Sequence, residues 1–252
     1  MFQRMLASAV FAGFAAGLIA ALLQFAFVQK YIVLGELYES GTLTHFAGGG
    51  DEMAVKGPAT ADTAGDGHVH TMAADGHDHG VAGVAPSGQM RGVWTLMFIV
   101  LAYVSYAMVL VAGFGLAESR GHRIGPVQGL LWGLAGFAAF QLAPAMGMAP
   151  ELPGIAAAEL TARQIWWWGT AGATATALAL LAYVRQPIAI AVAVALLAAP
   201  HIIGAPELAT FSGAAPPEAA AAFAARSLGI GLVIWAALGW VAGQLWSRGT
   251  PG

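Results

Sequence analysis

The sequence predicts an all-α, polytopic membrane helix bundle of about six transmembrane helices, carrying a long flexible His-rich outer loop. Of its 252 residues, 58% are hydrophobic and only 9% charged, whereas a soluble domain carries about 25% charged residues. The apolar residues fall into runs long enough to cross a bilayer, which takes about 20 residues each. Many of the 34 glycines lie inside those runs, where small residues let helices approach closely in lipid. A net charge of −3 offers no footing for nucleic acid. With no cysteine in the chain, disulfides, thiolate metal ligands and cysteine nucleophiles are all excluded.

Residues 1–30 form the first transmembrane segment. Arg4 is followed by an uncharged run, Met5 to Val28, and Gly13-x-x-x-Gly17 gives it a packing face. A secretory signal is the competing reading. The run is longer than an ordinary signal core, and no clean small-x-small cleavage site precedes a polar start. Residues 31–91 read as an extracytoplasmic loop. Its first part stays apolar and carries Glu36 and Glu39, which share a face if the helix continues. From Gly41 to Met90 the composition turns to Gly, Ala, Asp, His and Thr, which cannot bury a core of its own.

Residues 92–252 form a five-helix membrane body with spans near 92–117, 124–149, 164–184, 188–203 and 227–246. Gly125, Gly129 and Gly133 are spaced by four and lie on one ridge of the third span. Trp166-Trp167-Trp168 opens the fourth at the position of an interfacial aromatic belt. The fifth is the shortest and holds Pro200 and His201. Residues 204–226 read as an Ala- and Pro-rich loop, and the sixth span carries Gly239-x-x-x-Gly243. Six spans put both ends on one side. Arg4, Arg120, Arg123, Arg185 and Arg248 then sit in very short segments on that side, and twelve of the thirteen acidic residues fall on the other. Basic density in short loops favours the cytoplasm, so both termini are expected there, in a multi-pass protein of a bacterial inner membrane. A re-entrant fifth segment would reduce the count to five and move the C-terminus outside.

The outer loop holds the densest chemistry. Asp66-Gly-His-Val-His70 and Asp75-Gly-His-Asp-His79 place His68, His70, His77 and His79 with Asp66, Asp75 and Asp78 in fourteen residues. In an extended chain, residues i and i+2 point the same way about 7 Å apart, so each His-x-His pair presents two imidazoles to one ion. The short separation of the pairs makes joint closure cheap. Imidazole with carboxylate suits Co, Ni, Zn or Cu(II), held weakly enough to exchange, as capture requires. The plain alternative is a solvated linker that happens to be His-rich.

His201 follows a proline that frees a backbone carbonyl, and broken helices in transporters line sites. An ionisable group near the membrane is a functional candidate. The other reading is an interfacial histidine satisfied by backbone or headgroup. Glu151, Glu159, Arg163 and Glu207 in the outer loops are candidates for gating or coordination, or are simply solvated and paired. Glu36 and Glu39 extend a metal path toward the membrane, or mark an exposed helix end. Gln24 and Gln141 lie within spans and are expected to bond between helices.

Enzymatic chemistry finds little support. There is no G-x-x-x-x-G-K-[ST] and so no ATPase of the chain's own, and no G-x-S-x-G. Only His201 is near a span interior, which argues against a bis-histidine haem. No permanently bound cofactor is expected.

Glu151-Leu-Pro-Gly154, Arg163-Gln-x-Trp-Trp167 and Pro200-His-Ile-Ile-Gly-Ala-Pro206 together resemble the CbtA family of bacterial cobalt transporter subunits. The opening helix ending at Glu36 and Tyr38-Glu39, with a His-bearing outer loop after it, is similar too. The resemblance spans essentially the whole chain. It implies cobalt uptake for cobalamin synthesis, Co(2+) as cargo with Ni(2+) as the alternative, and a small one-span His-bearing partner, CbtB. It places His201, Glu151, Arg163 and Gln164 at the family's motif positions. The family is often drawn with five spans, where this chain reads as six. The competing reading is a metal-binding membrane scaffold or sensor that docks a partner without transporting.

Overall fold

The structure is a computed structural model, and it describes residues 2–45, 88–184, 186–210 and 212–248. About 80% of these are helical, with no β-strand among them. The chain is all-α. The expected ligands Asp66, His68, His70, Asp75, His77, Asp78 and His79 lie outside the described residues, as does Arg185.

Six helices follow one another. Helix α1 runs over Phe2–Leu23, passes through a π-helical turn at Gln24–Val28, and continues over Gln29–Glu39. Helix α2 covers Gly88–Ser119. Helix α3 runs over Pro126–Phe137, a second π-turn at Ala138–Leu142, and a last turn at Ala143–Ala145. Helices α4, α5 and α6 cover Leu160–Tyr183, Pro187–Ile203 and Pro217–Arg248. Met5–Glu39, Met90–Ser119 and Pro217–Arg248 are each long and apolar enough to cross a membrane, and Pro187–Ile203 is apolar but shorter. Large apolar side chains point outward, among them Leu22, Phe98, Ile188 and Ile202. Burial of apolar groups away from water cannot account for a surface of this kind, whereas lipid contact does. The protein is a membrane protein.

Helices α1, α2, α3 and α6 make the core, and small residues set their spacing. Ala9, Ala12, Ala16 and Ala20 are buried along one stripe of α1. Gly17 faces Val100 of α2 so closely that a Cβ would lie 2.7 Å from its Cα. Gly129 and Gly133 of α3 meet Gly239 and Gly243 of α6 backbone to backbone; a Cβ on Gly129 would lie 2.8 Å from the Gly243 Cα. Van der Waals packing is what holds helices together in lipid, and it strengthens as backbones close. Phe114, Trp235, Leu238 and Trp246 fill the remaining space.

Helices α4 and α5 form a separate pair on one flank. Among the described residues α5 packs on α4 alone. Helix α4 reaches the core through Trp167, whose ring lies 5.9 Å from Phe140, and through Trp166 against Gly147.

Two features differ from expectation. The segment 204–226 is not all loop, because α6 begins at Pro217. Pro at the first helical position, Glu218 in the first turn and a run of alanines all favour an early start. Helix α5 is not broken at Pro200. It runs on to Ile203, since a proline in the last turn leaves little ladder beyond it to disrupt. The helix ends at Gly204, whose φ of +87° suits a residue without a Cβ.

Candidate functional site

The sequence motifs converge on one end of the bundle, where α1, α3 and α5 finish and α2, α4 and α6 begin. The connection after α3 folds across this end as a cap. Its Leu152 is buried, and Pro153 sits over Gly35 of α1, where a Cβ would lie 2.7 Å from the proline carbonyl oxygen. Gly154 takes a φ of +85°. Its carbonyl accepts from the Ala214 N–H at 2.7 Å, and the Ala156 N–H donates to the Ser212 carbonyl at 3.1 Å. The segment 148–159 is thereby tied both to α1 and to the strap leading into α6.

Carboxylates crowd this end, and most of the cations there are already engaged. Arg91 at the start of α2 pairs with Glu36 of α1. That hydrogen bond, with the Coulombic attraction behind it, raises the guanidinium pKa further above its ordinary value. Arg163 donates to Glu151 at 2.6 Å. Lys30 and Arg226 lie over the Tyr31 ring, with the Arg226 guanidinium 4.7 Å from its centre. Glu159 caps α4. Its two oxygens accept the Thr161 and Ala162 backbone N–H groups at 2.8 and 2.7 Å. Those donors favour the charged form and hold its pKa below the ordinary carboxylate value. Glu39, beside Gly154, and Glu207, after α5, are exposed and form no ion pair among the described residues. Glu218, in the first turn of α6, is likewise exposed and without an ion pair among the described residues. Gln164 is exposed, next to Arg163 in a shallow depression bounded by Trp167 and Trp168.

His201 is on the outer flank. Its ring is edge-on to Trp166 at 6.1 Å. The carbonyl put to use there is Pro200's own, which accepts the Trp166 indole N–H at 3.1 Å and the Gly204 N–H at 3.0 Å. The Pro200–Pro206 and Arg163–Trp167 stretches therefore meet at Trp166, which packs on Gly147 with Ala205 close by, and the Glu151–Gly154 stretch joins them through the Arg163–Glu151 pair. Among the described residues, no three His, Asp or Glu side chains stand close enough to hold a metal ion together. The cap end gathers candidates in pairs, not in a complete ligand set.

Sequence reasoning missed two features. The Arg91–Glu36 pair joins residues 55 apart in the chain, a separation that no local spacing reveals. The two in-span glutamines each fall in a π-turn, Gln24 in α1 and Gln141 in α3. The Gln141 amide lies beside Tyr103 of α2 and Gly231 of α6, and its Oε1 is buried without a hydrogen-bond acceptor's usual donor. π-Turns recur at functional sites; the glutamines stood out as polar residues inside apolar runs, but nothing in the sequence marked the extra residue in each turn.

No curated protein and no solved structure matches the chain. The family described as "Probable cobalt transporter subunit (CbtA)" matches over residues 2–247. That span takes in all the described helices, short of Arg248 at the end of α6, and the whole cap. The chain belongs to the CbtA family.

Proposed function

We propose that the protein is the membrane subunit of a cobalt uptake transporter in a bacterial inner membrane, with both termini in the cytoplasm and the cap facing outward. The observation that supports this best is the convergence of three separate motif stretches at one capped, carboxylate-bearing end of an apolar bundle in a member of this family. His68, His70, His77 and His79, with Asp66, Asp75 and Asp78, collect the ion. Glu39, Glu207 and His201 receive it at the cap. Engaging Arg91 and Arg163 with Glu36 and Glu151 keeps those cations from repelling it. Glu159 serves the fold as a cap for α4. Gln164 borders the entry without a ligand role of its own.

Entry into the bundle follows the four-helix core and not α5, because among the described residues α5 packs on no helix but α4. Gln141 offers an amide oxygen halfway along. An incomplete ligand set in the described residues fits a partner that completes it, and a small one-span His-bearing subunit of the CbtB kind fits that role. Nickel, with the same preference for imidazole and carboxylate, is the alternative cargo.

The test is labelled cobalt uptake by cells expressing the chain with and without the partner, with nickel as competitor. Replacement of the four loop histidines by alanine should weaken uptake at low cobalt only. His201→Ala and Gln141→Leu should each reduce the maximal rate at least tenfold. The competing reading, a metal-binding scaffold or sensor that docks a partner, draws on the peripheral position of His201. It gains if cobalt still binds the purified chain while no form raises uptake over empty cells, even with the partner present.

A further inference from the structure

At the opposite end of the bundle, α4 and the core diverge. There the two are joined by an aromatic contact: the Trp132 indole N–H donates to the Tyr183 hydroxyl at 3.1 Å, and His122 lies 4.7 Å from the Tyr183 ring. Between this contact and the Trp167–Phe140 contact nearer the cap lies a cavity of about 650 Å³. One wall is α4, at Ala175, Leu178 and Ala179, and the other is formed by Leu131, Ala135 and the neighbouring turns of α2 and α3. The walls are apolar. The polar side chains gather at the hinge between α2 and α3, where His122, Arg123 and Gln128 border the cavity.

We propose that this cavity is a binding site for one anionic phospholipid, with an acyl chain between α4 and the core and the phosphate at Arg123. Size and charge both favour this occupant. The cavity opens on the bundle's flank, where Val109, Leu131, Ala175 and Ala179 are exposed, and in a bilayer a flexible apolar chain is what supplies their dispersion contacts. Its volume lies within the range of small-molecule sites. Arg120, His122 and Arg123 cluster at the hinge, Arg248 ends α6, and Glu118 is the one acidic residue in the hinge. Basic pockets between transmembrane helices are where acidic headgroups bind. The proposal rests on the bundle lying in a membrane and is independent of the metal it carries.

The experiment uses the full chain, purified in detergent, stripped of lipid, and titrated with phosphatidylglycerol or phosphatidylcholine of identical acyl chains. Bound lipid is counted by native mass spectrometry. One phosphatidylglycerol should be retained in preference to phosphatidylcholine. Arg123→Gln, an exposed change that leaves the packing alone, should lower that preference about fivefold while acyl binding persists. Ala179→Trp, which fills the cavity, should abolish retention of either lipid; circular dichroism establishes that the variant is folded. Equal retention of the two lipids by the wild type, or retention undiminished in folded Ala179→Trp, overturns the proposal. So does a polypeptide, not a lipid, being displaced by Ala179→Trp.

Discussion

Glu159 shows how one residue can look like a ligand in the sequence and act as a cap in the fold. Its oxygens complete the first turn of α4, where backbone N–H groups otherwise lack partners. The same donors set a pH dependence. The folded pKa lies below the ordinary value of 4.5, so the stabilisation is fully present above that value. It is lost as the pH falls through the folded pKa. Glu159→Ala should lower the thermal midpoint in detergent at pH 7, and the difference from wild type should close as the pH drops below 4.5. A gap that persists undiminished in acid would mean the carboxylate's charge is not what stabilises the turn. The other candidates sort by their neighbours in the same way. Pairing was one of the readings open to Glu151, Glu159 and Arg163, because they lie close together in the sequence. No such reading was open to Glu36 with Arg91, since 55 residues separate them and only the packing of α1 on α2 brings them together.

The helices were legible where composition decides and illegible where packing does. Each expected span has a helix at its position, because an apolar run in lipid must satisfy its own backbone groups. The glycine ridges were legible as well, and the structure sets Gly129 and Gly133 against Gly239 and Gly243. The π-turns were not, as one extra residue per turn leaves no trace in hydrophobic periodicity. Nor was the partition into a four-helix core and an outlying α4–α5 pair, which depends on tertiary contacts. That pair hangs on Trp166. Its indole N–H bonds to the Pro200 carbonyl, and its ring packs on Gly147. Trp166→Phe keeps most of the packing and removes the bond, so it should cost about 1 kcal/mol. Trp166→Ala also removes the ring and should cost about 3–5 kcal/mol. Both are readable by chemical or thermal unfolding in detergent micelles. If the two substitutions cost the same, the ring's packing contributes nothing and the pair is held elsewhere.

The molecule is polarised: among the described residues the cap end holds Glu36, Glu39, Glu151, Glu159, Glu207 and Glu218 against Lys30, Arg91, Arg163 and Arg226, and the hinge end holds Arg120, Arg123 and Arg248 against Glu118. Helix α1 continues from Phe2 to Glu39, and Met5–Glu39 alone has 35 residues. At 1.5 Å per residue it is about 50 Å long, well beyond a hydrocarbon core of about 30 Å. The excess lies at the cap, where Lys30, Glu36 and Glu39 need water, so this end stands clear of the bilayer. The sequence supplies the charge asymmetry and the structure shows which residues share an end; the orientation proposed above rests on the density of arginine in the short segments. Because the chain has no cysteine, single cysteines report that side without a background. Thr42→Cys at the cap should react with an impermeant maleimide in intact spheroplasts. Arg120→Cys at the hinge should react only after permeabilisation, and Arg248→Cys at the end of α6 should behave like Arg120→Cys. Labelling of Arg248→Cys from outside, with Arg120→Cys still protected, would mean α5 does not cross and the chain spans five times. Labelling of Arg120→Cys from outside would invert the protein and put the carboxylate end in the cytoplasm, where a cap that collects metal would serve export and not uptake.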